Sequence, residues 1–155
     1  MEEIFMKEAI KEAKKAYKKK EVPIGAVIVY RNKIISRGYN LREKKKNALL
    51  HAEIIAINKA CRKLKSWRLS ECDLYVTVEP CPMCAGAIIQ SRIKNIFFGA
   101  PDIKAGCAGS KANLFEEGLF NHNVNVAGGI LESECADLLK DFFHQLRKVD
   151  KWGIL

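Results

Sequence analysis

Leu74-Tyr75-Val76-Thr77-Val78, running straight into Glu79-Pro80-Cys81-Pro82-Met83-Cys84, is the stretch on which the fold turns. Its first five residues are aliphatic, aromatic or β-branched, the composition of a strand buried on both faces. Pro82 suits the first turn of a helix, where its missing amide hydrogen is not needed. That helix is predicted to run to about Ser91 and to lead into a second strand, Asn95 to Gly99. A strand, a helix and a strand at this spacing make a parallel crossover unit. The expected fold class is therefore α/β, a mixed sheet flanked by helices.

Towards the N-terminus, Ile54, Ile57, Cys61 and Leu64 recur at helical spacing and predict a helix from just after His51 to about Lys65. The polar segment Leu41 to Asn47 before it, with Arg42, Lys44, Lys45 and Lys46, reads as a solvated loop able to meet phosphate. Ile24 to Tyr30 and Lys33 to Tyr39 flank the turn Arg31-Asn32 and predict a hairpin. Met6, Ala9, Ile10, Ala13, Ala16 and Tyr17 form the apolar face of a first helix whose other face carries Lys7, Lys11, Lys14, Lys15 and Lys18. Towards the C-terminus, a glycine-containing loop spans Pro101 to Gly109 and a short strand lies near Val124 to Val126. In the closing helix, Cys135, Leu138, Leu139, Phe142, Phe143 and Leu146 mark the expected buried stripe. No repeat or linker interrupts the 155 residues, so residues 1–155 are expected to form a single domain.

Lys and Arg number 27 against 18 Asp and Glu, a net charge of +9 that draws the chain towards a polyanion such as nucleic acid. Met1-Glu2-Glu3-Ile4 lacks the basic-then-apolar run of a secretory signal, and no stretch is apolar enough to span a bilayer. The expectation is a cytoplasmic protein with no membrane contact. Six cysteines in a reducing compartment are more readily metal ligands or buried apolar groups than disulfides.

The chemistry concentrates in His51-Ala52-Glu53 and, thirty positions on, Cys81-Pro82-Met83-Cys84. One imidazole and two thiolates are three good Zn2+ ligands, and three protein ligands leave a fourth tetrahedral position open. Cys81 and Cys84 fall at a helix N-terminus, where the dipole favours thiolate over thiol. His51 and Glu53 open the other helix. Residues two apart share no helix face, so both serve one site only if it lies beyond the helix end. Glu53 as a fourth ligand would displace the water; its expected role is proton shuttle, and taken alone, without His51 beside it, it reads also as a first-turn carboxylate favoured by the helix dipole. Cys61 and Cys135 sit on apolar stripes, and Cys72, Cys107, His122 and His144 lack ligand spacing. A redox pair at Cys81 and Cys84 leaves His51-Ala52-Glu53 unexplained.

The pattern H-x-E followed by P-C-x-x-C matches the zinc deaminases that act on nucleobases. Beyond it, Val22-Pro23-Ile24-Gly25-Ala26-Val27, Asn40, the segment Leu74 to Ile88, Ser91-Arg92-Ile93, Phe98-Gly99-Ala100, Asp102, Lys104, Gly106, Gly109-Ser110 and Asn121-His122 resemble the bacterial tRNA adenosine deaminases. The resemblance implies a three-layer α/β/α cytidine-deaminase-like fold with a mixed five-stranded sheet. It also implies a homodimer, one Zn2+ per subunit, and conversion of the wobble adenosine in a tRNA anticodon stem-loop to inosine. Carried over by position, His51, Cys81 and Cys84 bind zinc and Glu53 shuttles the proton. Asn40 hydrogen-bonds the flipped nucleoside, and Asp102 and Lys104 lie beside the anticodon loop. From its own setting alone, Asn40 reads rather as a turn residue ending a strand. The chain departs from the family at Asn47-Ala48-Leu49-Leu50, where many members carry Asp-Pro-Thr-Ala, and in a less basic tail, Lys148 to Leu155.

Three readings stand at this point: deamination of adenosine in tRNA, deamination of a free base or nucleoside such as guanine or cytidine by the same chemistry, and a nucleic-acid-binding module with a structural zinc.

Overall fold

The computed structural model describes residues 1–151, and the side chains of residues 1–148. Trp152-Gly153-Ile154-Leu155 of the tail lie outside the described residues. In chain order the elements are α1 (Glu2–Lys18), β1 (Gly25–Tyr30), β2 (Lys33–Tyr39), α2 (Ala52–Leu64), β3 (Cys72–Val78), α3 (Pro82–Gln90), β4 (Asn95–Ala100), β5 (Asn125–Ala127) and α4 (Glu132–Lys151).

The hairpin forms where expected. Arg31 and Asn32 both take positive φ, 50° and 61°, the backbone a two-residue hairpin turn requires. The strands join in one sheet of order β2-β1-β3-β4-β5. β1 is antiparallel to both β2 and β3, whereas β3, β4 and β5 are mutually parallel, so the crossover unit and the mixed sheet stand as read from the sequence.

Side chains alternate across a strand, and each face of this sheet carries its own core. Ala26, Ile28, Leu74, Val76 and Ile96 meet Ala52, Ala56, Ile57 and Ala60 of α2 and Ala85, Ile88 and Ile89 of α3. Val27, Val29, Tyr75 and Ala100 meet Met6, Ala9 and Ile10 of α1 and Cys135 of α4. The result is a three-layer α/β/α arrangement.

Two burial expectations need correction. On α2 the fully buried line is Ala52, Ala56 and Ala60; Ile54, Cys61 and Leu64 flank it half-buried, and Ile57 alone of the expected stripe is buried. Close approach is the reason. A Cβ on Gly38 of β2 would lie 2.4 Å from the Ala52 carbonyl oxygen and 2.9 Å from the Ala56 nitrogen, so only small residues fit where the helix crosses Gly38. The Ser36 hydroxyl, donating to the Ala56 carbonyl at 2.8 Å, fastens the same contact.

On α4, Cys135 and Phe142 are buried but Phe143 and Leu146 are exposed. A helix of 20 residues is about 30 Å long, whereas strands of six or seven residues reach roughly 20–23 Å. The last turns of α4 therefore overrun the sheet. Phe142 packs edge-on against Tyr17 of α1, ring centroids 5.7 Å apart, and Phe143 and Leu146 face outward. Among the described residues, no helix is long and apolar enough to cross a membrane.

Candidate active site

β3 ends at Val78 and the chain passes through Glu79 and Pro80 to Cys81, the N-cap of α3; His51 is the N-cap of α2. An N-cap side chain ordinarily accepts a hydrogen bond from the first turn of its own helix. Neither His51 nor Cys81 does so, and the two side chains instead turn towards each other. Cys84, in the first turn of α3, joins them.

His51 Nδ1 lies 3.6 Å from Cys81 Sγ and 3.6 Å from Cys84 Sγ. Tetrahedral zinc, with Zn–S ≈ 2.3 Å and Zn–N ≈ 2.0–2.1 Å, requires nitrogen and sulfur donors about 3.6 Å apart. The donor set thus fits such an ion in chemistry and in spacing. Among the described residues, these three form the one group of three His, Cys or acidic side chains with ligand atoms within 4.8 Å of one another. Cys61, Cys72, Cys107 and Cys135 stand apart as free cysteines.

Cys84 hydrogen-bonds to Cys81, and together with His51 this outweighs burial and holds the Cys81 thiol down to about 4. The same contact, with burial and the nearby Glu53 carboxylate, pushes the Cys84 thiol far up. Its hydrogen bond with Cys81 raises the His51 imidazole. Glu53 is 4% exposed, and burial pushes its carboxyl up from 4.5 to about 7, with the Cys81 charge adding to the rise and His51 opposing it. A carboxyl that titrates near neutrality beside three metal-type donors is equipped to accept and return a proton.

Asn40 follows β2 directly and is 6% exposed. Its Oδ1 accepts from the Arg42 amide at 3.1 Å, an Asx turn, so the turn role is present. With Val22, Ile24, Arg42, His51 and Ala52 it also lines a pocket of about 100 Å³ beside the imidazole. The Leu41–Asn47 segment is largely exposed, as are Ala48 and Leu49 of the departing stretch, while Leu50 is half-buried. Asp102 is half-buried, and its Oδ1 accepts from the Lys104 and Ala105 amides at 3.1 and 3.2 Å. Lys104 is exposed. The structure brings His51, Glu53, Cys81 and Cys84 together and sets Asn40 at the pocket; Asp102 and Lys104 belong to a separate loop tied to the residue after β3.

Two buried carboxylates that accept from backbone amides of distant segments escape a reading by motif. Glu21, fully buried, accepts from the amides of Glu43 and Lys44 at 3.0 and 2.6 Å and pins the Leu41–Asn47 loop. Glu79, 3% exposed, accepts from the Asp102, Ala108 and Ser110 amides. Burial alone would raise its carboxyl, but these bonds and the Ser110 hydroxyl hold it below the usual range. The signal in the sequence is a charged residue set directly between the apolar run Leu74 to Val78 and Pro80.

A three-layer fold with His, Cys, Cys and a buried Glu gathered at two facing helix N-termini defines a deaminase of the cytidine-deaminase-like fold. Residues 1–147 match the family of MafB19-like deaminases. A tRNA-specific adenosine deaminase of Bacillus subtilis (strain 168) is 53% identical over 150 residues, which are 97% of this chain and 93% of the relative. A solved structure from a study of A-to-I editing by tRNA:A34 deaminases at the wobble position superposes with a TM-score of 0.84 at 42% identity, covering 87% of this chain and 98% of that one. A guanine deaminase of Bacillus subtilis superposes with a TM-score of 0.61 at 40% identity over 64% of each chain. The chain belongs to the MafB19-like deaminase family and, by its relatives, to the tRNA-specific adenosine deaminases.

Proposed function

We infer that this protein hydrolyses the wobble adenosine of a tRNA anticodon to inosine and releases ammonia, using one Zn2+ per subunit held by His51, Cys81 and Cys84. The observation that carries the reading is the pair of 3.6 Å separations from His51 Nδ1 to the two sulfurs, with a buried carboxyl beside them. A zinc ion in such an open site makes water acidic near neutral pH, about 7. Glu53 accepts the proton that the attacking water gives up, passes it to a ring nitrogen, and then helps protonate the departing amine. Water adds to the ring carbon and the carbon–nitrogen bond breaks, so adenosine and water become inosine and ammonia.

Asn40, at the pocket beside His51, hydrogen-bonds the flipped nucleoside, and Asp102 and Lys104 meet the neighbouring nucleotides of the loop. An anticodon loop presents its bases already unpaired, which keeps the flipping cost low. The net charge of +9 supports the RNA partner through the phosphates of the stem. The homodimer and the cytoplasmic setting rest on the same family membership, and residues 1–155 act as a single deaminase domain.

The test is incubation of zinc-loaded protein with an anticodon stem-loop RNA, with guanine and with free nucleosides. Inosine in the RNA, and little ammonia from the free compounds, is the expected result. Ammonia from a free base with the RNA unchanged contradicts the reading and favours a free-base deaminase. RNA binding with no turnover, and unaltered by Glu53→Ala, favours a binding module.

A further inference from the structure

We propose that Glu79 is a positioning residue for RNA recognition, locking the 101–110 loop that carries Asp102 and Lys104 to the chain segment that leads into Cys81. The proposal rests on the functional reading above and adds the means by which the RNA-facing loop is held in register with the zinc site.

Four donors converge on one buried carboxylate. Oε1 accepts from the Asp102 amide at 3.0 Å and from the Ser110 hydroxyl. Oε2 accepts from the Ala108 and Ser110 amides at 2.9 and 3.0 Å. Loop amides at both ends of the segment are thus tied to one side chain two residues before Cys81. The main chain repeats the link, since the Cys107 amide donates to the Pro80 carbonyl at 2.8 Å. Gly106 belongs to the same contact: a Cβ there would lie 2.3 Å from Glu79 Cδ and 2.5 Å from the Asp102 carbonyl oxygen. The carboxylate is packed against the loop with no room for a methyl group.

Glutamine at this position cannot repeat the arrangement. Its amide group has one acceptor oxygen and one nitrogen that only donates. On the Oε2 side both partners are backbone amides, which cannot reverse. On the Oε1 side the Ser110 hydroxyl can turn and accept. The glutamine nitrogen therefore settles on the Oε1 side, and the Asp102 amide is the one donor left opposed. Glu79→Gln releases the loop at the residue placed beside the RNA while leaving the zinc ligands in position.

The test uses the full chain loaded with zinc and an anticodon stem-loop RNA with adenosine at the wobble position. Three quantities are read for Glu79→Gln: amide hydrogen exchange across residues 101–110, Kd for the stem-loop, and the split between KM and kcat for inosine formation. Loss of one charge-assisted hydrogen bond corresponds to roughly a tenfold effect. Exchange at Asp102 is expected to quicken by about that factor, Kd and KM to rise by about that factor, and kcat to stay within about threefold. In an Asp102→Ala background the change in Kd from Glu79→Gln is expected to shrink to within about twofold, the signature of two residues acting through one contact. Gly106→Ala wedges the same contact from the loop side and is expected to give the same pattern, which keeps the test open if Glu79→Gln fails to fold.

Unchanged exchange and Kd in both variants overturn the proposal. So does a loss of equal size with and without Asp102, or a loss of zinc with KM intact. Wild-type protein that leaves the stem-loop unconverted overturns the functional reading instead, and the exchange measurement then still decides whether Glu79 holds the loop.

Discussion

Glu53→Gln in the metal-free protein isolates the energetic consequence of burying an acid beside His51 and Cys81. Burial raises the Glu53 carboxyl from 4.5 to about 7. At 1.36 kcal/mol per pH unit, this corresponds to about 3 kcal/mol. The sign follows from proton counts. Below pH 4.5 folded and unfolded chains both keep the proton. Between 4.5 and about 7 the unfolded chain has released it and the folded chain has not, so stability falls as pH rises; above about 7 the loss is complete. Glutamine is neutral throughout and removes this dependence. Urea unfolding of chelator-treated wild type and Glu53→Gln at intervals from pH 4.5 to 8 is the assay. The stability difference is expected to move by about 3 kcal/mol in favour of glutamine across that range, and to shrink when zinc is restored, because a neighbouring dication favours the ionised carboxylate. A difference that stays constant within about 0.5 kcal/mol, the scatter of such extrapolations, refutes the burial argument.

Cys84→Ala removes a buried thiol from the donor set; metal analysis is expected to show the zinc lost and the melting temperature lowered, because ligand bonds contribute to folding. Glu53→Ala is expected to keep zinc while turnover falls by about 10²- to 10⁴-fold, the usual worth of a general acid–base group. Gly38→Ala pushes a methyl group to within 2.4 Å of the Ala52 carbonyl, beside the N-cap His51; overpacking of this kind costs about 1–3 kcal/mol, and denaturant midpoint and kcat are expected to fall together. Stem-loop affinity is expected to decline linearly in log–log form as salt rises, and a flat dependence contradicts phosphate contacts by the basic surface.

Most of the architecture was legible because period and punctuation report it directly. The apolar run Leu74 to Val78, with Pro82 after it, specifies strand and helix, and Arg31-Asn32 marks the hairpin turn. Less legible was how far each element reaches. Helical spacing identifies the apolar side of α4 but cannot show that the helix is longer than the sheet beneath it, so Phe143 and Leu146 read as buried. The line Ala52, Ala56 and Ala60 does not stand out in the sequence beside larger side chains, because the tight seat against Gly38 is a tertiary fact. At the site, His51, Glu53, Cys81 and Cys84 carry their chemistry in residue type and spacing. Glu21 and Glu79 do not, since their partners, the Ser110 hydroxyl apart, are backbone amides of segments distant in sequence, and a backbone amide leaves no mark on residue identity.

Zinc-edge X-ray absorption on the natively purified protein examines the metal site most directly. One tightly held zinc per chain is expected, with two sulfurs at about 2.3 Å, one imidazole nitrogen at about 2.0–2.1 Å and one light, exchangeable oxygen donor. Absence of zinc, or a shell closed by four protein ligands, contradicts a hydrolytic centre built on His51, Cys81 and Cys84.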